Sequence, residues 1–136
     1  MPDVVRTVLV VEDDADLNRS LDDLLSRHGF RVVAAHDPVE AWEALQAGPR
    51  PAAILVDLLT PRMQGADFVA RLRRDARLSI IPLIAMSGDD EASRTPPRVE
   101  RFLRKPFTAT QLLDALRQLG VVLPGMDLDS TSHAGA

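Results

Sequence analysis

Val8-Leu9-Val10-Val11-Glu12-Asp13-Asp14 is the stretch whose reading decides the fold. Four apolar residues in a row, three of them β-branched, lack the polar alternation of a strand with one wet face. They read as a short strand covered on both faces, the signature of a parallel sheet between layers of helix. The run stops at three consecutive acids, as a strand does where it emerges at the sheet edge.

The pattern repeats downstream. Leu17, Leu21, Leu24 and Leu25 recur at helical spacing between Ala15 and His28, and Gly29 stands where a left-handed cap residue belongs. Phe30 to Ala35 reads as a second strand, Pro38 to Ala47 as a helix opened by proline and closed near Gly48, and Ala53 to Val56 as a third strand. A loop from Asp57 to Gly65 leads to a helix faced by Phe68, Val69 and Leu72. Ile80 to Met86 reads as a fourth strand and Phe102-Leu103-Arg104 as a fifth. Thr108 then caps a last helix with a stripe of Leu112, Leu113, Leu116 and Leu119, broken at Gly120.

Strands alternating with helices require right-handed crossovers and hence a parallel sheet with helices on both faces, an α/β (βα)5 fold. Ser87 to Glu100 breaks the rhythm: Gly88, Pro96 and Pro97 leave room only for a short or irregular fourth helix. Residues 1–120 are expected to form one domain. Residues 121–136, with Pro124, Gly125 and a run of small polar side chains, read as a flexible C-terminal tail.

Bulk properties narrow the function. With 136 residues, 46% apolar and 26% charged, the chain suits a single folded domain. A net charge of -4 argues against direct nucleic-acid binding. There is no cysteine for disulfides or thiolate metal sites, and no apolar run long enough to cross a membrane. Met1 to Thr7 lacks the layout of a signal peptide. The expected location is the cytoplasm, without a membrane partner.

In such sheets, sites form beyond the carboxyl ends of the strands. Glu12 and Asp13 end the first strand, Asp57 the third, Ser87 the fourth and Lys105 the fifth, so all five converge on one crevice. Three carboxylates within ~4 Å repel by several kcal/mol at an effective dielectric of ~20, and a divalent cation relieves the conflict. Oxygen donors alone suit Mg²⁺ better than zinc, and His28, His36 and His133 lie elsewhere. A carboxylate beside a cation and a lysine ammonium is suited to attack a phosphoryl group, which makes Asp57 the candidate nucleophile.

Val10-Val11-Glu12-Asp13, Val56-Asp57 followed by Pro61 and Gly65, Ser87-Gly88, and Lys105-Pro106-Phe107 together resemble the receiver domains of two-component response regulators. The match spans about residues 7 to 119. The resemblance implies a flavodoxin-like, doubly wound sheet of order 2-1-3-4-5. It also implies that Asp57 is the phosphoacceptor, Asp13 a direct Mg²⁺ ligand, Glu12 a ligand through water and Leu59 a ligand through its backbone carbonyl. Ser87 corresponds to the switch hydroxyl, Lys105 to the residue that pairs with the phosphoryl group, and Pro106 to the residue after a cis peptide. Phe102 is either the family's aromatic switch or a plain core aromatic. Asp14 reads equally well as a helix N-cap.

What the resemblance implies for function is a phosphorylation-activated switch of a phosphorelay. It would be loaded by a histidine kinase or a histidine phosphotransfer protein and would act on a downstream protein target or a domain of a parent protein. It would not be an enzyme apart from its own phosphorylation and dephosphorylation. The alternative is a receiver-fold binding module that signals without phosphorylation. An aspartate-based phosphohydrolase generally needs a second aspartate two residues after the nucleophile, where this chain has Leu59. Two departures from the family stand out: a shortened, proline-bearing segment between Ser87 and Lys105, and Leu59 and Asp89 at positions that in the family influence phosphoryl lifetime.

Overall fold

The computed structural model describes residues 6–60, 63–88 and 99–121. In chain order the elements are β1 (Thr7–Val11), α1 (Ala15–Arg27), β2 (Arg31–Ala35), α2 (Pro38–Ala47), β3 (Ala53–Asp57), β4 (Leu59–Thr60), β5 (Met63–Gln64), α3 (Gly65–Arg74), β6 (Leu83–Ser87), β7 (Arg101–Arg104) and α4 (Ala109–Gln118). Five strands form one parallel sheet of order β2-β1-β3-β6-β7. Counting only this sheet's strands, the order is 2-1-3-4-5.

Successive strand residues face opposite sides of a sheet, so β1 contributes to two cores. Leu9 and Val11 join Ile54 and Val56 of β3 under Ala41 and Leu45 of α2 and Phe68, Val69 and Leu72 of α3. Val8 and Val10 join Leu55, Ile84 and Met86 under Leu21 and Leu25 of α1 and Leu112 and Leu116 of α4. With helices on both sides, every residue of β3 and β6 is buried, which explains why these strands carry no polar alternation.

Local chemistry sets the helix ends. Asp14 caps α1, its Oδ1 accepting the Asp16 and Leu17 amides at 2.9 and 3.1 Å. Asp37 caps α2, with Pro38 at the first position. Thr108 and Gln111 form a reciprocal capping box at the start of α4. Gly29 and Gly120 follow α1 and α4 with φ of 89° and 80°, left-handed values that glycine adopts without a Cβ penalty.

Three expectations need correction. The fourth sheet strand begins at Leu83, not Ile80: Asp75 Oδ1 accepts the Arg77 and Leu78 amides, and Arg73 donates to the Ser79 and Ile81 carbonyls, holding 75–81 in turns. Ile80 is 67% exposed. The segment after Asp57 contains an antiparallel ladder, Leu59 with Gln64 and Thr60 with Met63. Strands of two residues are too short to show periodicity in sequence. Val121, expected to open the tail, is buried against the α1 and α4 core and its amide donates to the Leu116 carbonyl at 3.0 Å. The expected irregular fourth helix and the tail beyond Val121 lie outside the described residues.

Leu55→Ala, at a fully buried position of the central strand, is expected to lower the unfolding free energy by about 2–5 kcal/mol in urea titrations. Ile80→Ala should change it by less than about 0.5 kcal/mol. Comparable losses for both would contradict the placement of Ile80 outside the sheet.

Candidate phosphoacceptor and metal site

The sheet order places the carboxyl ends of β1, β3, β6 and β7 side by side, and Glu12, Asp13, Asp57, Ser87 and Lys105 follow or close those strands. The structure brings Glu12, Asp13 and Asp57 together: one carboxylate oxygen from each lies within 4.8 Å of the other two. Glu12, Asp57 and Ser87 are buried and Asp13 is exposed at the mouth.

Lys105 reaches across from the β7 end. Its ammonium donates to Glu12 Oε1 at 2.6 Å and to Asp57 Oδ2 at 3.0 Å. The Lys105 amide donates to the Ser87 carbonyl at 2.9 Å, extending the β6–β7 ladder to the base of the lysine side chain. The Lys105–Pro106 peptide is cis. On the β3 side, the Leu58 amide donates to the Met86 carbonyl at 3.0 Å, which continues the backbone pairing past Asp57.

Glu12 is held at both backbone groups and both carboxylate oxygens. Its amide donates to the Ala35 carbonyl at 3.0 Å and its carbonyl accepts from Asn18 Nδ2 at 3.0 Å. Besides Lys105, its carboxylate accepts the Asp14 amide at 3.1 Å through Oε2. Burial pushes the Glu12 carboxyl up to about 7, opposed by the bonds from Lys105 and Asp14 and assisted by neighbouring Asp57. Burial pulls the Lys105 ammonium down, but its bonds to Glu12 and Asp57 and the charge of both carboxylates outweigh it, leaving its pKa above the ordinary lysine value.

The other predicted residues are placed as follows. Ser87 ends β6 in register with Arg104. Phe102, in register with Ala85, is half-buried and packs against the core under α2 and α3. Leu59 opens β4, two residues after Asp57 closes β3. Asp14 is the N-cap of α1. Sequence reading gave no role to Asn18, although it stands on the stripe of Leu21 and Leu25, where a polar side chain is out of pattern.

With all three acids ionised and Lys105 protonated, the crevice carries three negative charges and one positive. All-oxygen donors and a deficit of two positive charges fit a hard divalent cation.

Comparison with known proteins agrees with the geometry. A family model for the response regulator receiver domain matches residues 8–117. Response regulator MprA of Mycobacterium ulcerans is 34% identical over 116 residues, 82% of this chain and 49% of that protein, so the chain spans about half the length of that relative. Chemotaxis protein CheY1 of Helicobacter pylori is 32% identical over 114 residues, 80% of this chain and 92% of that protein. The receiver domain of a sensor histidine kinase from Pseudomonas aeruginosa PAO1, whose structure has a magnesium ion in its active-site cleft, superposes with a TM-score of 0.78 at 23% identity. That superposition covers 86% of this chain and 99% of that one, and the likeness is one of fold. With the five-stranded order, the acidic cluster and the bridging lysine all in place, the chain belongs to the response regulator receiver domain family.

Proposed function

We propose that this domain is a phosphorylation-activated switch in which Asp57 accepts a phosphoryl group from a phosphohistidine of a histidine kinase or phosphotransfer protein. The observation that carries this reading is the Lys105 ammonium, bonded to buried Asp57 at 3.0 Å inside a three-carboxylate crevice. Receiver domains are signalling modules, not classical enzymes. This domain's chemistry is the loading and unloading of Asp57. Membership in the family supports a cytoplasmic location and a downstream protein or a parent-protein domain as the target.

In loading, an Asp57 carboxylate oxygen forms the new P–O bond as the bond from phosphorus to the donor imidazole nitrogen breaks. The electron pair stays on that nitrogen, and a proton on the other ring nitrogen, already carried by the phosphohistidine or taken from solvent, makes the leaving group neutral imidazole. Lys105 holds its ammonium next to the developing charge on the phosphoryl oxygens. In unloading, a water oxygen attacks phosphorus, the Asp57 carboxylate leaves with its electron pair, and inorganic phosphate departs with the water's protons shared between itself and solvent.

Asp13 and Asp57 would hold Mg²⁺ directly, Glu12 through water and Leu59 through its backbone carbonyl. When bound, the ion supplies positive charge to the transferring oxygens. The chain's own part is positional: Glu12 is pinned at four points, and the ladders through Leu58 and Lys105 keep β3 and β7 in register around the crevice. Ser87, buried at the end of β6, is the hydroxyl that would bond the new phosphoryl group. Phe102, half-buried on β7, is the side chain that would transmit the change towards the surface.

Intact-mass spectrometry after incubation with acetyl phosphate should show one added phosphoryl group that requires Mg²⁺ and is lost in Asp57→Asn. Lys105→Met should slow its appearance by roughly 10²-fold or more. An adduct that survives Asp57→Asn would overturn the assignment.

Because the Glu12 carboxyl sits near 7, a cation must displace a proton from it below that pH. Mg²⁺ affinity is therefore expected to rise with pH up to about 7, by no more than roughly tenfold per pH unit, and to level off above it. Calorimetric titration at about pH 6 and about pH 8 checks this, and equal affinities would contradict it.

A further inference from the structure

Among the described residues, the buried polar or charged side chains are Glu12, Asn18, Asp57 and Ser87. Three of them have roles in the proposed chemistry and the fourth does not. Asn18 is 3% exposed and sits in the second turn of α1, on the face that carries Leu21 and Leu25 into the core. An uncompensated amide there would be costly, and a leucine would fill the same stripe without that cost.

The carboxamide is bonded on both hydrogens. Asn18 Nδ2 donates to the Glu12 carbonyl at 3.0 Å and to the Ala35 carbonyl at 3.2 Å. These carbonyls lie at the carboxyl ends of β1 and β2, and the Ala35 carbonyl also accepts the Glu12 amide at 3.0 Å. One planar –NH2 thus joins two strand ends to α1. At the other side of the turn, the Asn18 amide donates to the Asp14 carbonyl at 2.9 Å, and the Asp14 amide donates to Glu12 Oε2 at 3.1 Å. The turn 12–14, which presents both Glu12 and Asp13, is closed into a ring of hydrogen bonds whose one buried side-chain amide belongs to Asn18.

We infer that Asn18 is a positioning residue for the divalent-cation site, acting through the backbone of Glu12 to set where the Glu12 and Asp13 carboxylates stand. It touches neither cation nor phosphoryl group. The inference rests on the reading of the acidic crevice as a Mg²⁺ site. Outer contacts that orient metal ligands commonly contribute tenfold to a hundredfold in affinity. Leucine at position 18 keeps the branching, the heavy-atom count and the buried stripe, in a somewhat larger side chain, while removing both donors, which leaves two strand-end carbonyls without this partner and turn 12–14 free to shift.

The test is calorimetric titration of MgCl2 into the wild type, Asn18→Leu, Glu12→Gln and the double variant, each shown to be folded by circular dichroism, with urea titration of the metal-free proteins alongside. The wild type should bind, and Asn18→Leu should bind roughly tenfold to a hundredfold more weakly. Because part of the effect runs through the Glu12 carboxylate and part through Asp13, the fold-loss of the double variant should be smaller than the product of the two single losses. A merely structural residue would lower the urea midpoint yet leave the affinity of the folded protein unchanged, or would add its loss in full to that of Glu12→Gln. Either result overturns the positioning role. If Asn18→Leu does not fold, Asn18→Ala takes its place with the same expectations, and failure of both to fold makes Asn18 structural and overturns the inference. No binding by the wild type overturns the metal-site reading itself, an outcome distinct from binding that Asn18→Leu leaves intact.

Discussion

One ammonium between two buried carboxylates organises this domain. Lys105 bonds Glu12 at 2.6 Å and Asp57 at 3.0 Å, linking residues 93 and 48 positions away in sequence. Buried carboxylates without a cation would be strongly unfavourable. The sheet order is what makes the pairing possible: β1 and β3 are neighbours, β6 lies beside β3, and β7 carries Lys105 past the end of β6. A change of strand order would separate the acids from their counter-charge.

That counter-charge is incomplete. One lysine faces three acids whose oxygens lie within 4.8 Å of one another, and Glu12, pushed up first by burial and further by Asp57, holds its proton up to about pH 7. A structural ion pair optimised for stability would balance its charges. A crevice short of positive charge is instead suited to take up a cation and then a phosphoryl group. The stability of the sheet and the reactivity of its edge are therefore supplied by different residues: two apolar cores below, and an acid-rich rim above.

Much of this was legible in the sequence. Val8 to Val11 reads as a doubly buried strand because no polar residue alternates within it, and α2 carries its bounds in Asp37, Pro38 and Gly48. The acids at strand ends, Ser87 and Lys105 share one edge of the sheet because parallel strands all end there, while the strand order that makes them neighbours is implied only by the family resemblance. Other features depend on contacts that no local pattern encodes. Ile80 looks like strand by composition, but the Asp75 turn and the Arg73 bonds claim the backbone around it. The β4–β5 pairing is too short to have a period. The purpose of Asn18 becomes visible only once the ends of β1 and β2 are known to lie within reach of α1, although a polar residue on an apolar stripe was a signal that something there needed a donor.

The central claim is that Asp57, and not another acid of the crevice, carries the phosphoryl group. Reducing the phosphorylated protein with borohydride converts an acyl phosphate to an alcohol, and peptide sequencing by mass spectrometry then locates it. The account predicts that the reduced side chain lies at position 57 alone. A reduced side chain at Glu12 or Asp13, or an equal distribution among the three acids, would contradict it.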